Sequence, residues 1–394
     1  MSAPSSHSPR RVAVLGSTGS IGTSTLDVIE RLEGRLTPVA LSAGRNVTLL
    51  AEQVRRWQPA IAALADPGLA EEFRALVGTE WSGELLLGED AAERICRDAD
   101  VDIVLNGCVG AAGLRPSWAT IQRKLPLALA NKESLVSAGE LLTREAMARS
   151  APILPVDSEH NGLFQLLEGS DGEEVSRLIL TASGGPFRER DVATFDAIRP
   201  EEALRHPTWS MGARITVDSA TLLNKGFEVL EARWLFGIPP ERIDVWIHPE
   251  SIVHGFVEWR DGSTTAQLSL PDMRVPIQNA LCYPERLESG LPRCDLTQQG
   301  ALRFFAPEPE RFPCLGLAYR ALEEGGTAPA VLNAGDEVLV EAFLAGEIRF
   351  PQIAECLAEV LDARPDEPVD GLDSLLAADA WARREARSVL GRCR

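Results

Sequence analysis

The chain has 394 residues, 45% of them apolar, and carries a net charge of −19 at pH 7. Such a length allows two or three domains with large cores, while the acidic charge argues against binding nucleic acid or an anionic membrane surface. No stretch approaches the roughly 18 apolar residues that a membrane-spanning helix needs, and residues 1–10 are too polar for a signal peptide. We therefore expect a soluble, cytoplasmic protein in which residues 1–9 form a disordered tail.

Cysteine and lysine usage are both informative. Seven cysteines are scattered without the CxxC spacing of metal or redox motifs, which predicts free thiols in a reducing compartment. Of 39 basic residues only three are lysines, at positions 124, 132 and 225. Lysine provides a compact, mobile ammonium that arginine does not, and two of these lysines fall within the motifs described below.

The first predicted element is a strand at the apolar run 11–15. It leads into the glycine-rich turn 16–22 and then into a helical pattern from Thr25 onward. This succession is the dinucleotide-binding fingerprint, in which glycines let the backbone approach a pyrophosphate at the N-terminus of the helix. The alternative is a tight turn between strand and helix that binds no ligand.

The second predicted strand, residues 37–42, ends without the acidic residue that an NAD-specific protein places there for the ribose hydroxyls. The residues that follow are Gly44, Arg45 and Asn46. Because a guanidinium pairs with phosphate in bidentate fashion, this turn favours the 2′-phosphate of NADP over NAD.

Further strand–helix units continue the alternation. A helix is predicted at 47–57, and strands are predicted at 60–64, 101–105 and 126–130. Repeated units of this kind predict a parallel, doubly wound sheet of the Rossmann type. The turns after the strands line its carboxyl edge, so we expect the cofactor to be faced by four polar residues, Asn106, Asn131, Lys132 and Glu133.

An acidic stretch follows the apolar run 153–156. On extended backbone, Asp157 and Glu159 would point to the same side, and hard oxygen ligands of this kind suit Mg²⁺ or Mn²⁺. The alternative is an acidic helix N-terminus, with Asp157 or Ser158 as the cap of a helix that starts near His160. Capping and metal binding are compatible.

Two turns in the next segment carry candidate substrate ligands. A predicted strand at 178–181 enters a turn in which Ser183 precedes two glycines, a plausible anion-binding nest; an ordinary turn is the alternative. The weakly patterned segment 188–213 then contains His206 and Trp209. A loop with such residues is typical of a lid over a ligand, although a core-packed tryptophan remains an alternative.

The densest polar cluster is residues 218–228. Its apolar periodicity predicts a helix with Asp218 or Ser219 as N-cap, on which Asn224 and Glu228 lie four residues apart on one face. Serine, asparagine and lysine on the first turns of a helix form a phosphate site, and Glu228 would add a third metal-binding carboxylate. The alternative is a capped amphipathic helix with Lys225 on its rim.

Six motifs, in order along the chain, resemble those of the 1-deoxy-D-xylulose-5-phosphate reductoisomerase family of the non-mevalonate isoprenoid pathway. They are G-S-T-G-S-I-G at 16–22, A-N-K-E-S-L-V at 130–136, V-D-S-E-H-N at 156–161, T-A-S-G-G-P-F at 181–187, H-P-T-W-S-M-G at 206–212 and V-D-S-A-T-L-L-N-K-G-F-E at 217–228. The resemblance extends from about residue 10 to about residue 385. It departs from the family pattern at 333–337, where Gly335 lowers helix stability by about 1 kcal/mol.

The resemblance implies a site for each reactant. A divalent metal, Mg²⁺, Mn²⁺ or Co²⁺, would be bound by Asp157, Glu159 and Glu228. Substrate would be contacted by Lys132, Ser158, Glu159, Ser183, His206, Trp209, Ser219, Asn224, Lys225 and Glu228. NADPH would be contacted by Thr18, Gly19, Ser20, Ile21, Gly44, Arg45, Asn46, Asn131, Glu133 and Gly212.

The rest of the chain predicts a second sheet and a helical end. Strands at 242–248, 251–259 and 264–270 form the mixed sheet of an α/β catalytic domain, and the resemblance implies a homodimer that pairs through this region. Helices are predicted at 317–324, 329–345, 351–362 and 371–391. The expected domains are a Rossmann-type NADPH-binding domain at 10–155, a catalytic and dimerisation domain at 156–283, a connector at 284–315 and a small helical domain at 316–394.

The expected reaction rearranges 1-deoxy-D-xylulose 5-phosphate to a branched aldehyde phosphate and reduces it with NADPH to 2-C-methyl-D-erythritol 4-phosphate. One rival is a semialdehyde-type NADP dehydrogenase that uses Cys108 as a covalent nucleophile. A rival from another class is a non-catalytic NADP-sensing protein, which would have no need for three carboxylates beside an anion site.

Overall fold

The structure is a computed structural model that describes residues 8–209 and 211–393, the side chain of Cys393 excepted. Residues 1–7 of the expected tail and Ser210 of the expected lid lie outside the described residues. The described chain forms two compact units. The first covers residues up to Ser134 with Leu142–Asn161 and Asp272–Leu291, and the second covers Leu135–Leu141, Gly162–Pro271 and the residues from Pro292 onward. The expected domain boundaries at 155, 283 and 315 stay a prediction.

Strands and helices alternate through the first part of the chain, and helices dominate its end. The strands are β1 (Arg10–Leu15), β2 (Leu36–Ala43), β3 (Ile61–Leu64), β4 (Glu84–Leu87), β5 (Ile103–Asn106), β6 (Leu127–Leu129), β7 (Ile153–Pro155), β8 (Val175–Ala182), β9 (Ile243–Ile247), β10 (Val253–Trp259) and β11 (Thr264–Leu268). The helices are α1 (Ser20–Arg31), α2 (Val47–Trp57), α3 (Ala70–Val77), α4 (Ala91–Asp98), α5 (Leu114–Gln122), α6 (Lys132–Arg149), α7 (Ser158–Leu166), α8 (Pro200–Ala203), α9 (Ala213–Thr221), α10 (Leu223–Phe236), α11 (Arg274–Cys282), α12 (Pro313–Glu324), α13 (Ala328–Leu344), α14 (Gln352–Asp362) and α15 (Leu372–Cys393).

Within the described residues, the first unit contains a seven-stranded parallel sheet with the strand order β4-β3-β2-β1-β5-β6-β7. Its central strands are apolar on both faces, and Val12–Leu15 of β1 are fully buried, as expected for a parallel sheet covered by helices on both sides. The order reverses between β1 and β5, which is where ligands bind in sheets of this type. The Rossmann-type prediction is confirmed.

The second unit, as far as it is described, contains a four-stranded mixed sheet with the order β11-β10-β8-β9. Strands β8 and β9 are parallel, and β10 is antiparallel to both β8 and β11. One face of this sheet packs in the same apolar core as helices α10 and α12–α15. Contacts among Phe187, Phe195, Phe343 and Phe350, with ring centroids 5.3 to 6.2 Å apart, form part of that core. The predicted mixed sheet and helical C-terminal part are confirmed.

Close packing of two helices explains why a glycine stands at position 335. It lies in α13, and a Cβ at this position would approach Leu357 Cδ1 to 3.1 Å and Val360 Cγ1 to 3.4 Å. The glycine therefore lets α13 pack closely on α14, and this packing offsets the lower helix propensity. Among the described residues, every helix falls short of the length and apolar character that a membrane span requires.

Candidate active site

The turn after β1 is built for close approach of a ligand to the backbone. Gly16 has a φ of +70°, and a Cβ there would lie 2.5 Å from Gly107 O. A Cβ on Gly22 would lie 2.3 Å from Gly16 O, so glycine is required at both positions. Gly19 caps α1 without a side-chain hydrogen bond. The Gly19 N–H donates to Gly16 O at 3.0 Å and closes the turn, and the helix N-terminus presents the backbone N–H groups of Thr18, Ser20 and Ile21, as a pyrophosphate site requires.

The turn after β2 exposes one guanidinium. The Arg45 side chain is 88% exposed, and its Nε lies 3.6 Å from the Asp66 carboxylate. Gly44 is open, because a Cβ there would meet no atom within 4 Å. Asn46 has a structural task, since its side chain accepts a hydrogen bond from Leu49 N at 3.2 Å and caps α2. Arg45 is thus the side chain in this turn with room to reach a phosphate.

Asn131 and Glu133 follow β6 and are predicted as cofactor contacts. In the structure, both side chains form hydrogen bonds with the loop after β5. Asn131 Nδ2 donates to Cys108 O at 2.9 Å and to Gly110 O at 3.0 Å, and its Oδ1 accepts from Ser134 N at 3.1 Å. Glu133 accepts from Gly110 N at 3.1 Å. These side chains fix the shape of the loop after β5, a role that the sequence prediction missed because the partners are about 20 residues away.

Asn106 fixes the same loop from its other end. Its side-chain oxygen accepts from Cys108 N at 3.1 Å, and its Nδ2 donates to Gly113 O and Ser117 Oγ, both at 2.8 Å. Burial raises the pKa of the Cys108 thiol to about 12. A cysteine with so little thiolate at neutral pH is a poor nucleophile, which argues against the rival dehydrogenase.

The acidic stretch lies at the junction of β7 and α7. Asp157 directly precedes the helix, its backbone oxygen accepts from Asn161 N at 2.8 Å, and Glu159 lies in the first helical turn. The prediction that both carboxylates extend from strand backbone is wrong, because the helix begins at Ser158; the alternative helix N-terminus is the correct description. Lys132 Nζ lies 2.5 Å from Asp157, and Ser158 Oγ donates to Glu159 at 2.6 Å.

In the second unit, the Ser183 turn packs against the backbone of Ser219. Gly184 and Gly185 have φ values of +78° and +64°. A Cβ on Gly185 would lie 2.7 Å from Ser219 O, so the two predicted phosphate serines belong to neighbouring, tightly packed backbone segments. The Ser183 hydroxyl accepts from Gly185 N at 3.2 Å.

His206 is held in one tautomer by its own loop. Its Nδ1 accepts from Thr208 N at 3.1 Å and from Trp209 N at 2.8 Å, so the ring proton is on Nε2. Nε2 lies 2.9 Å from Ser183 Oγ and donates to it. Burial lowers the pKa of His206 to about 4, which keeps the ring neutral. The Ser183 hydroxyl accepts from both His206 and Gly185 N, and its own hydrogen is left to donate outward.

The polar cluster 218–228 divides between two helices. Asp218 and Ser219 lie inside α9, and Leu222, with a φ of +62°, separates α9 from α10. The prediction that Asp218 or Ser219 caps the helix is therefore wrong, since that helix starts at Ala213. Gly212 is the residue that caps α9.

Helix α10 carries the remaining predicted ligands of the second unit. Asn224 Nδ2 donates to Glu228 Oε1 at 2.7 Å, as the i, i+4 spacing predicts. Lys225 forms an ion pair with the other oxygen of Glu228, and both side chains are buried. The half-buried Trp209 belongs to the loop that precedes α9.

Comparison with known proteins gives three matching family models along the chain. The model described as 1-deoxy-D-xylulose 5-phosphate reductoisomerase matches residues 12–139. A model described as its C-terminal domain matches residues 153–236, and one described as DXP reductoisomerase C-terminal domain matches residues 268–385.

Individual relatives agree with these models. The 1-deoxy-D-xylulose 5-phosphate reductoisomerase of Cupriavidus taiwanensis is 51% identical, over 96% of this chain and 97% of its own length. Among solved structures, the reductoisomerase of Zymomonas mobilis in complex with NADPH is 41% identical, with a TM-score of 0.91 over 97% of this chain and 99% of that one. A reductoisomerase in complex with NADPH, fosmidomycin and magnesium is 38% identical, with a TM-score of 0.92 over 97% of this chain and 98% of that one. The chain belongs to the 1-deoxy-D-xylulose 5-phosphate reductoisomerase family.

Proposed function

We propose that this chain converts 1-deoxy-D-xylulose 5-phosphate to 2-C-methyl-D-erythritol 4-phosphate with NADPH and a divalent metal. The observation that carries the proposal is the identity of 51% to a named reductoisomerase over 96% of the chain. The related structures that contain NADPH, magnesium and fosmidomycin support the choice of cofactors. The residues of each unit fit the parts of this reaction.

The residues proposed to bind NADPH lie mainly at the carboxyl edge of the parallel sheet. The N–H groups at Thr18–Ile21 would receive the pyrophosphate, and Arg45 beside Gly44 would pair with the 2′-phosphate. Asn46, Asn131 and Glu133 shape the surrounding loops through the hydrogen bonds described above. Gly212 of the second unit is proposed as a further contact.

For the metal, we propose Asp157 and Glu159 of the first unit and Glu228 of the second as ligands. Carboxylate oxygens are the donors that Mg²⁺ and Mn²⁺ prefer, and Co²⁺ remains a further candidate. Within its own unit, Asp157 is paired with Lys132 and Glu228 is paired with Lys225. Two of the three lysines in the chain therefore neutralise proposed metal ligands, and they keep charged carboxylates in place. When bound, the metal supplies Lewis-acid activation and orientation of substrate oxygens, and NADPH supplies hydride.

The second unit fits a phosphate. Ser183, with its hydroxyl hydrogen directed outward by His206 and Gly185, donates to the phosphate beside Ser219, and Asn224 and Lys225 complete the set. Fixed donors of this kind orient a small, flexible sugar for reaction. Lys132 and Ser158 of the first unit are proposed to contact the sugar end.

We also propose that the lid segment 206–212 closes over bound substrate and buries Trp209. The proposal is supported by the Thr208 and Trp209 N–H groups, which donate to His206, a proposed substrate contact. Substrate should change the tryptophan fluorescence of the wild-type protein. The lid proposal fails if Trp209→Phe leaves that change intact.

A homodimer that pairs through the mixed sheet is a further proposal. Strand β11 lies at an edge of that sheet in the described residues, and edge strands can pair with another chain. Sedimentation equilibrium should give twice the chain mass, and a monomer at assay concentration would exclude the dimer. We propose a cytoplasmic location, which agrees with the free cysteines at 96, 108, 282, 294, 314 and 356; fractionation of cells tests it.

The decisive experiment assays the purified protein with 1-deoxy-D-xylulose 5-phosphate, NADPH and Mg²⁺ or Mn²⁺. NADPH oxidation and formation of 2-C-methyl-D-erythritol 4-phosphate, identified by NMR, are expected. Chelation by EDTA should stop the reaction, and Cys108→Ala should retain most of it. Resistance to EDTA together with an inactive Cys108→Ala protein would favour the semialdehyde-type dehydrogenase instead.

A further inference from the structure

Arg214 joins helix α9 to the C-terminal helices of the second unit. Its Nε and Nη2 atoms donate to one oxygen of Asp336, at 3.3 and 3.1 Å, and its Nη1 donates to Glu337 at 2.7 Å. Nη2 also donates to the side-chain oxygen of Asn333 at 2.9 Å. Residues 333, 336 and 337 share one face of α13. The single guanidinium of Arg214 on α9 therefore forms hydrogen bonds with three side chains on that face.

The contact is buried and continues into a third helix. Asp336 and Asn333 are fully buried, and burial raises the pKa of Asp336 although Arg214 lies beside it. Arg383 of α15 bonds to the other oxygen of Glu337 at 2.5 Å. Removing Arg214 would leave the fully buried Asp336 carboxylate without this ion pair, which is strongly destabilising, so the contact fixes α9 against α13. The pair of Glu337 and Arg383, 18% and 25% exposed, adds a weaker link to α15.

Helix α9 links the network to the proposed phosphate site. Its N-terminus follows the lid segment at Gly212, two residues before Arg214, and its last turn carries Ser219. The Ser219 backbone lies close against the Ser183 turn, where a Cβ on Gly185 would lie 2.7 Å from Ser219 O. A shift of α9 would therefore disturb both serines and the end of the lid.

We propose that Arg214 and Asp336 are positioning residues for the phosphate end of the substrate. Through this ion pair, α13 fixes the position and rotation of α9, and α9 in turn fixes Ser219 and Gly212, the residue at which the lid ends. The C-terminal helices thus take part in substrate binding without touching the substrate. This inference rests on the function proposed above.

The test separates positioning from general stability. Arg214→Met and Asp336→Asn are compared with Arg364→Met, in which a similarly buried arginine of the same unit loses its ion pair with Glu324. Steady-state kinetics at a temperature well below unfolding should show KM for 1-deoxy-D-xylulose 5-phosphate raised about tenfold or more in the first two variants. The KM for NADPH should rise less than the KM for the sugar phosphate, because Gly212 is the one proposed NADPH contact that adjoins α9.

Arg214→Lys serves as the conservative variant. It keeps the charge but lacks the planar fork that bonds to three partners at once, so its KM for the sugar phosphate should lie between those of wild type and Arg214→Met. It also carries the test if Arg214→Met does not fold. Thermal unfolding of every variant shows whether a kinetic change tracks stability.

Two outcomes overturn the inference. One is an unchanged KM for the sugar phosphate in Arg214→Lys and Asp336→Asn, and the other is an equal rise in Arg364→Met, which would make the effect one of stability alone. A wild-type protein that does not form the product would instead refute the proposed function, and the inference would fall with it.

Discussion

The proposed site draws on two lysine–carboxylate pairs, one in each unit, and their surroundings differ. Lys132 and Asp157 of the first unit are 11% and 23% exposed, and the pair connects the first residue of α6 with the residue that precedes α7. Lys225 and Glu228 of the second unit are 4% and 2% exposed and lie three residues apart on one helix. A buried pair is costly to break because a charge is left in a low-dielectric interior, whereas a partly exposed pair is solvated when it opens.

Because of this difference in burial, substitution of a proposed ligand should affect stability differently in the two units. In the first unit, the proposed ligands lie at the partly exposed N-termini of α6 and α7, where a mutation has little effect on the core. In the second unit, Lys225 and Glu228 are buried, so for this pair function and stability depend on the same side chains. Substitutions should therefore cost activity alone in the first unit, and activity together with stability in the second.

Glu228→Gln should have the largest effect. We expect turnover to be abolished, because a proposed metal ligand is lost, and the free energy of unfolding to fall by about 3 kcal/mol, because a buried ion pair is broken. NADPH affinity should be nearly unchanged, since the nucleotide residues lie mainly in the other unit. Activity assays, calorimetry with NADPH and with Mn²⁺, and urea unfolding measure the three quantities.

The exposed Glu241 provides a control for this prediction. Glu241→Gln makes the same chemical change at a surface position of the same unit, and it should leave all three quantities at wild-type values. Normal turnover and unchanged metal affinity in Glu228→Gln would defeat the proposed metal site.

Asp157→Asn breaks the lysine–carboxylate pair of the first unit. Turnover should again be lost, but the free energy of unfolding should fall by only about 1 kcal/mol or less, because the pair with Lys132 is partly solvated. Urea unfolding of this variant beside Glu228→Gln checks the difference. The exposed Asp98→Asn is the control, and a loss of stability as large as that of Glu228→Gln would remove the contrast between the units.

Arg45→Glu should change specificity without changing stability. The wild type should prefer NADPH to NADH, and the ratio of kcat/KM for the two should fall about tenfold or more when the guanidinium is replaced by a carboxylate. Because the Arg45 side chain is 88% exposed, the unfolding midpoint should stay unchanged. Arg74→Glu, an exposed arginine on α3, should leave the ratio intact, and a wild-type preference for NADH would contradict the role of Arg45.

The sequence predicted those parts of the molecule that depend on local pattern. The bounds of α2 and the strands β1, β2 and β10 follow from apolar periodicity, and the turn at 16–22 follows from its glycines. Strand β4, Glu84–Leu87, was not predicted. The break at Leu222 was also missed, since a leucine with positive φ has no sequence signature.

What the sequence did not reveal are partnerships set by tertiary packing. Asn131 pairs with a loop more than 20 residues away, and Arg214 pairs with Asp336, 122 residues away. No spacing rule connects such residues, because they are neighbours only once the helices have packed. The residue types in the site were therefore predictable. Which residues bind ligands and which hold the binding segments in position was not.

Protonation of His206 at low pH should have a small effect on substrate binding. In the folded protein the neutral ring accepts two N–H bonds, and burial lowers its pKa to about 4, below the ordinary value of about 6.5. A histidine with a lowered pKa contributes stability that is present above the unfolded pKa and is lost as pH falls through that range toward the folded value. Local order of the lid should thus weaken between about pH 6.5 and 4, and KM for the sugar phosphate should rise a few-fold from pH 7 to 5.

The substrate phosphate titrates in the same range, so His206→Asn is the necessary control. Its KM should be higher than that of the wild type at pH 7 but should rise less steeply as the pH falls, because only the substrate then changes its charge. Parallel KM profiles for the two proteins would show that the pH dependence belongs to the substrate. In that case His206 would serve only to orient the Ser183 hydroxyl, and the lid would be held by contacts that do not titrate.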